Sequence, residues 1–434
     1  MPLKKLREKI KDTKLSPTFG FITKINQTNL IGAGVIPKIG DLVKVFPSHE
    51  QPHAMGMVTS VAQNEFIITP FGFIEGFRIG DKLLLQEKGM SIPVGDELLG
   101  RVVNPFIEPL DNHGKIKTNN HYPIMKSPIS PMKRGLIDEV FTTGVKSIDG
   151  LLTCGKGQKM GIFAGSGVGK STLMGMIVKG SSSPIKVIAL IGERGREIPE
   201  FIKHNLNNDL ANTIIVAATS DDSALMRKYG AFSAMSIAEY FKDQGRDVLF
   251  IMDSVTRFAM AQREIGLALG EPPTTKGYPP SVFSLLPQLM ERAGKEEGKG
   301  SITAFFTILT EGDDMSDPIA DQTRSILDGH IVLSREMTDY GIYPPINILN
   351  SASRLAKELT QKEHQTLMGK FRRLYAILKE NEMLIRIGAY KEGNDKELDE
   401  AIAKKEKMES FLKQGTTSKV AFGEIVASLK KAVG

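Results

Sequence analysis

Cysteine, tryptophan and long apolar runs are scarce in this chain, and each shortage removes a class of protein. A single cysteine, Cys154, among 434 residues has no partner for an internal disulfide. A stapled secreted fold is therefore excluded, and a reducing, cytoplasmic setting is expected. Cys154 itself reads as a small buried apolar residue rather than a reactive thiol. No stretch approaches the ~20 apolar residues that cross a bilayer. The beginning of the chain carries Lys4, Lys5 and Arg7 with no long apolar core after them, so it does not read as a secretory signal. No tryptophan occurs, and the β-rich N-terminal region has no ladder of interleaved aromatic and basic residues, so no nucleic-acid partner is expected. Charge of one sign is also lacking: 56 Lys and Arg oppose 50 Asp and Glu, a net +6 that permits an anionic surface without requiring one.

What the chain does have is length enough for two or three domains and a clear change of pattern along it. Residues 1–16 place Leu3, Leu6 and Ile10 at helical spacing among Lys4, Lys5, Arg7, Lys9, Lys11 and Lys14. This basic amphipathic segment, taken as residues 1–18, either docks on a partner or membrane surface or is a solvated end. Residues 19–88 hold short β-rich runs at 21–25, 42–45, 56–61 and 65–69, separated by Gly, Pro, Asn and Asp, which is the pattern of a small barrel or sandwich. A linker is expected over residues 94–112, followed by a polar, Pro-containing stretch to about residue 131. Within residues 89–350, apolar runs at 159–163, 185–191, 213–218, 247–252, 302–309 and 330–333 alternate with helical segments. The fold class is therefore α/β, a mostly parallel sheet covered on both faces. Residues 351–434 are rich in Lys, Glu, Leu and Ala and read as a helical C-terminal domain.

The chemistry concentrates at the carboxyl ends of those apolar runs. Ala164, Gly165, Ser166, Gly167, Val168, Gly169, Lys170, Ser171 and Thr172 lie between a strand-like run and a helical pattern. Glycines there let successive N–H groups face phosphate oxygens, Lys170 reaches the β- and γ-phosphates, and the Ser171 hydroxyl ligates Mg2+. A nucleoside triphosphate with Mg2+ is the ligand pair this implies. One position departs from the general pattern, since Ala164 stands where glycine is usual. A second run, 248–252, ends in Asp253, which is either a metal-supporting carboxylate or a helix cap. A third ends in Glu193 and Arg194, where Glu193 can orient or deprotonate water and Arg194 can touch phosphate. The competing reading of residues 192–197 is a solvated loop of mutually paired charges.

Together, residues 164–172, 192–197 (Gly-Glu-Arg-Gly-Arg-Glu), 253–259 (Asp-Ser-Val-Thr-Arg-Phe-Ala), 341–346 and 351–354 resemble the rotary-ATPase branch of the RecA-like hexamers over nearly the whole chain. Residues 151–158, 163–171 and 387–395 make it most similar, within that branch, to the flagellar protein-export ATPase family. The resemblance implies a RecA-like core between an N-terminal β-barrel and C-terminal helices, and it accommodates Ala164. It implies that Lys170 and Ser171 bind phosphate and metal, Asp253 supports the metal and Glu193 activates water. Tyr343 would stack on adenine, and Arg354 would be an arginine finger reaching the neighbouring subunit. Loop packing for Tyr343 and a surface position for Arg354 are the plainer alternatives.

Three functions compete at this point: a homohexameric ATPase at a flagellar secretion gate, with an injectisome ATPase as its near relative; a subunit of an ion-translocating ATP synthase; and a nucleic-acid translocase. One polypeptide holding both Glu193 and Arg354 favours a ring of identical chains. The expected partners are then the chain itself, a stator-like regulatory protein at the N-terminus, export chaperones and the export gate. Peripheral association with the inner face of the membrane goes with them.

Overall fold

The computed structural model describes residues 18–47, 54–72, 74–86, 89–310 and 316–434; the basic segment expected at residues 1–16 lies outside them. Alternation of apolar and polar residues builds the N-terminal unit. In β3 (Leu42–Phe46) Val43 and Val45 point inward, and in β5 (Phe66–Pro70) Phe66 and Ile68 do. With β1 (Phe19–Ile25), β2 (Leu30–Ala33), β4 (Ala54–Val61) and β6 (Lys82–Gln86) they close a barrel in the order β1-β2-β5-β4-β3-β6. Closure leaves no unpaired edge. The barrel is seated on the next unit through Phe71, whose ring meets Phe106 edge-on at 4.8 Å and whose carbonyl accepts from the Ser223 hydroxyl at 2.9 Å.

The stretch expected to be a linker is built into the core instead. Strand β7 (Ser91–Val94) pairs with β9 (Asn120–Pro123), and β8 (Val102–Val103) becomes an edge strand of the main sheet. Ile92, Val94, Leu98, Val103 and Ile124 are all essentially inaccessible. Strands of two to four residues show no measurable periodicity, so their turn residues dominated the sequence pattern.

After the small pair β10 (Val140–Phe141) and β11 (Cys154–Gly155), the main sheet is formed by β12 (Lys159–Ala164), β13 (Ile185–Glu193), β14 (Thr213–Thr219), β15 (Val248–Asp253), β17 (Ser301–Leu309), β18 (Gly329–Val332) and β19 (Ala352–Ser353). Its order is β19-β18-β12-β17-β15-β13-β14-β8, with β16 (Gly294–Lys295) beside β17, and all pairings are parallel except those of β16 and β19. Strands β12 and β15 are buried at every residue because helices cover both faces. Along β13, Val187, Ala189 and Ile191 join a core with helices α2 (Ala224–Asp243) and α3 (Val255–Ala268). Ile188 and Leu190 face the opposite core with α1 (Lys170–Gly180) and the C-terminal helices α4 (Lys362–Glu380), α5 (Lys396–Leu412) and α6 (Phe422–Val433).

One buried charge pair ties the hairpin segment to α2. Arg292, with no exposed side-chain surface, donates twice to Glu239 at 3.0 and 2.8 Å, to the Ile124 carbonyl at 2.7 Å and to the Ser236 hydroxyl at 2.8 Å. Removing one partner of such a pair strands the other charge in a dry interior. Arg292→Ala is expected to lower the unfolding free energy by about 3–5 kcal/mol in denaturant titrations, and Arg292→Met with Glu239→Leu to recover most of it.

Candidate active site

Strand β12 delivers the chain to the phosphate loop, and α1 takes it away. Gly165 and Val168 are buried, while Ser166, Gly167, Ser171 and Thr172 line the open side. Gly169 caps α1 with φ +96°, a conformation that costs a side-chain-bearing residue strain. The first turn of α1 thereby presents free N–H groups and the positive end of the helix dipole. Arg335 donates to the Ser166 carbonyl at 3.2 Å, and Asn205 donates to the Ser171 carbonyl at 3.1 Å, so both ends of the loop are held from outside it.

Lys170, the first helical residue, turns toward the carboxyl ends of β13 and β15. Its Nζ bonds to Asp253 Oδ1 and lies 3.7 Å from Glu193 Oε1. Burial works against the ammonium, but Asp253 and Glu193 outweigh it and hold its pKa above the ordinary lysine value. Thr307 at the end of β17 donates to the same Asp253 oxygen at 2.7 Å. The helix-cap reading of Asp253 fails, because the hydroxyl of Ser254 caps α3 by accepting from the Arg257 amide at 3.3 Å. Both bonds fall on Oδ1 and neither uses Asp253 Oδ2. Asp253 and the Ser171 hydroxyl are the oxygen donors that could hold Mg2+, a cation that needs few protein ligands.

Glu193 is in a different condition. Its Oε1 is buried and makes no hydrogen bond. Burial, then the charge on Asp253, push its carboxyl up to about 7 against the opposing pull of Lys170. A carboxylate poised near neutrality with an unmet acceptor oxygen can take a proton from a bound hydroxyl or water.

Of the remaining expected residues, one sits on a turn beside the phosphate loop and two do not. The turn carrying Tyr343 lies against the phosphate loop, since Pro345 sits 3.8 Å from where a Cβ on Gly169 would be; the Tyr343 ring is half exposed. Arg194 is exposed and pairs with Glu197 at 3.5 Å. Arg354 is exposed at the sheet edge. Its neighbour Ser353 pairs with Gly329, which pairs with Met160. The phosphate loop begins four residues further along β12, about 13 Å away at ~3.3 Å per residue, so Arg354 does not belong to its own chain's site. It flanks a cavity of about 230 Å3 with Asp321, Arg324 and His330. Arg372 of α4 holds that edge by donating to the Ser351 carbonyl at 2.8 Å.

Sequence reasoning missed two members of the site. Thr307 is one threonine inside an apolar strand, with nothing to distinguish it. Arg257 lies inside the motif at 253–259 and was passed over, yet its Nε is buried without a partner and its side chain packs on Gly192. Gly192 has φ +73°, and a Cβ there would stand 2.7 Å from Arg257 Cβ. A half-buried guanidinium whose Nε makes no hydrogen bond, next to Gly192, suits a phosphate oxygen.

This geometry matches known proteins. Residues 144–353 match the nucleotide-binding domain of the ATP synthase alpha/beta family, and residues 360–431 match the C-terminal domain of the type III secretion EscN ATPases. The flagellum-specific ATP synthase of Helicobacter pylori is 67% identical over 95% of both chains. Among solved structures, the assembled EscN ATPase of the enteropathogenic E. coli type III secretion system superposes with a TM-score of 0.91 at 44% identity, covering 96% of this chain and all of that one. The same ATPase in complex with its central stalk EscO gives 0.89 at 44% identity, with the same coverage. The chain therefore belongs to the flagellum-specific and type III secretion ATPase family, ATP-hydrolysing enzymes built on the ATP synthase alpha/beta nucleotide-binding fold.

Proposed function

We propose that this chain is the motor of flagellar protein export, acting as a ring of identical subunits on export substrates or their chaperones at the cytoplasmic face of the secretion gate. The observation that carries the catalytic part is the buried, unpartnered Oε1 of Glu193 beside Lys170 and Asp253. The backbone amides of residues 165–172 and the Lys170 ammonium bind the triphosphate. Ser171 and Asp253 hold Mg2+, which when bound offsets phosphate charge. Glu193 accepts the proton of the attacking water, and Tyr343 covers the base. Arg354, exposed on the far edge and remote from its own phosphate loop, serves the adjacent subunit's site, where its charge stabilises the transferring phosphoryl group. The tighter identity to a flagellar relative than to EscN, 67% against 44%, supports the flagellar over the injectisome branch. EscN's assembly and its stalk complex support a ring and a regulatory partner here. The basic segment 1–18 is the proposed attachment point for a stator-like protein and for the membrane periphery.

Lys170→Ala is expected to abolish Mg-dependent ATP hydrolysis and weaken nucleotide binding, because it leaves phosphate charge uncompensated; near wild-type turnover of the purified variant would refute the site. Glu193→Gln should bind ATP normally and hydrolyse it at least about a hundredfold more slowly. The sign of the pH effect follows from the raised carboxyl. Glu193 is protonated below about pH 7, so wild-type kcat/KM should fall on the acid side of that value. The residual activity of Glu193→Gln should lack that limb. The neutral carboxyl is also the form the fold prefers, so the stability it contributes is lost as pH rises from its ordinary 4.5 through about 7. Glu193→Gln is accordingly expected to melt higher than wild type at pH 8, in differential scanning calorimetry.

Arg354→Ala chains should bind nucleotide yet remain slow when assembled. Mixed with Glu193→Gln chains they should regain partial activity, since some interfaces then pair an intact Glu193 with a neighbour's intact Arg354. No recovery in mixtures that native mass spectrometry shows to be co-assembled would remove the finger role in trans.

A further inference from the structure

Gln414 lies between α5 and α6, nearly buried; its side-chain amide bonds to two backbone segments and its backbone N–H to a third. Its Oε1 accepts from the Lys146 amide at 2.7 Å. Its Nε2 donates to the Gly144 carbonyl at 2.8 Å and to the Ser418 carbonyl at 2.9 Å. Its backbone N–H donates to the Tyr343 carbonyl at 2.7 Å. Only a neutral primary amide of this length both accepts and donates twice in that arrangement.

The frame it grips is itself fixed. The helix Lys146–Leu151 has no side-chain cap at its start, so Gln414 satisfies one of the orphan N–H groups there. Asp149 of that helix accepts from the Thr143 amide at 2.9 Å, the Thr143 hydroxyl at 2.7 Å and the Gly144 amide at 2.9 Å, which locks the loop that Gln414 holds. On the other side, Tyr343 begins the turn whose Pro345 leans on Gly169. The chain from Asp149 through Gln414 to Tyr343 thus joins the helical C-terminal unit to the open side of the phosphate loop.

We propose that Gln414 is a positioning residue for the nucleotide base, acting through Tyr343: it clamps the aromatic turn to the 143–146 frame, so the C-terminal unit sets the affinity for the base. This rests on the reading that Tyr343 covers the base, and the test separates the two. Gln414→Met keeps length and volume while deleting three hydrogen bonds of the amide; Gln414→Glu, which keeps the acceptor and loses the donors, carries the same test where the first variant is not recovered folded. Steady-state kinetics on the full-length protein should show KM for ATP raised about fivefold to tenfold with kcat within about twofold. Inhibition by inorganic tripolyphosphate, which has no base, should be unchanged. In a Tyr343→Ala background, itself raised in KM, the Gln414 change should add less than about twofold, since both act through one contact. A Gln414 variant that raises KM and the tripolyphosphate inhibition constant in parallel, lowers kcat alone, or multiplies the Tyr343→Ala effect in full overturns the proposal while leaving the base contact standing. A Tyr343→Ala protein with unchanged KM overturns the base contact and the proposal with it.

Discussion

One ammonium held between two carboxylates in a dry sheet edge governs this structure. Lys170 can be buried only because Asp253 pairs with it, and Asp253 can be buried only because Lys170 and Thr307 satisfy the same oxygen. That demand fixes neighbours. Strands β12, β13, β15 and β17 must end together, and the register that places Leu190 opposite Asp253 and Met252 opposite Phe306 does so. It also explains why capping of α3 falls to Ser254, since an Asp253 spent on a helix terminus would leave Lys170 unpaired. The pair does not balance the whole cluster. Two carboxylates face one ammonium, and burial together with the Asp253 charge pushes the Glu193 carboxyl up to about 7.

Much of this was legible in the chain, and the limits are physical. The long strands declared themselves because a strand buried on both faces is a continuous apolar run, as at Ile185–Glu193. The phosphate loop declared itself because backbone approach to phosphate restricts residue choice at successive positions. Strand β8 and the β7–β9 hairpin did not, since two to four residues carry no period and their apolar side chains, such as Val103 and Ile124, gain meaning only from distant partners. Thr307 and Gln414 were invisible for a related reason: a polar side chain inside an apolar run or after a helix signals nothing until the acceptor across the fold is known. Arg257 was different, because it sat within a motif already singled out and only its unbonded Nε distinguished it.

The sequence favoured an export ATPase over a synthase subunit and argued against a nucleic-acid translocase. What separates them is extent of likeness as much as motif. The phosphate loop and Asp253 would serve all three, whereas a match running from barrel to last helix, including a C-terminal domain shared with the type III secretion ATPases, does not. The C-terminal unit is accordingly more than a cover for the sheet. Arg372 on α4 steadies the edge that bears Arg354, and Gln414, between α5 and α6, meets the turn that bears Tyr343, so both residues are anchored from the C-terminal helical unit.

Tyr343 and Arg354 are joined by a short segment with no slack in it. The Ser351 hydroxyl accepts from Val332 and donates to the Asn347 carbonyl, the Asn347 amide bonds to the Val332 carbonyl, and the Arg354 amide bonds to the Asp328 carbonyl. Both ends of β18 therefore hold this segment. In a ring where Tyr343 senses its own subunit's nucleotide and Arg354 serves the next one's, the segment is a stiff lever with one arm in each of two sites. Under the roles proposed above for Tyr343 and Arg354, a segment braced in this way would couple neighbouring sites, so that their turnover would not be independent.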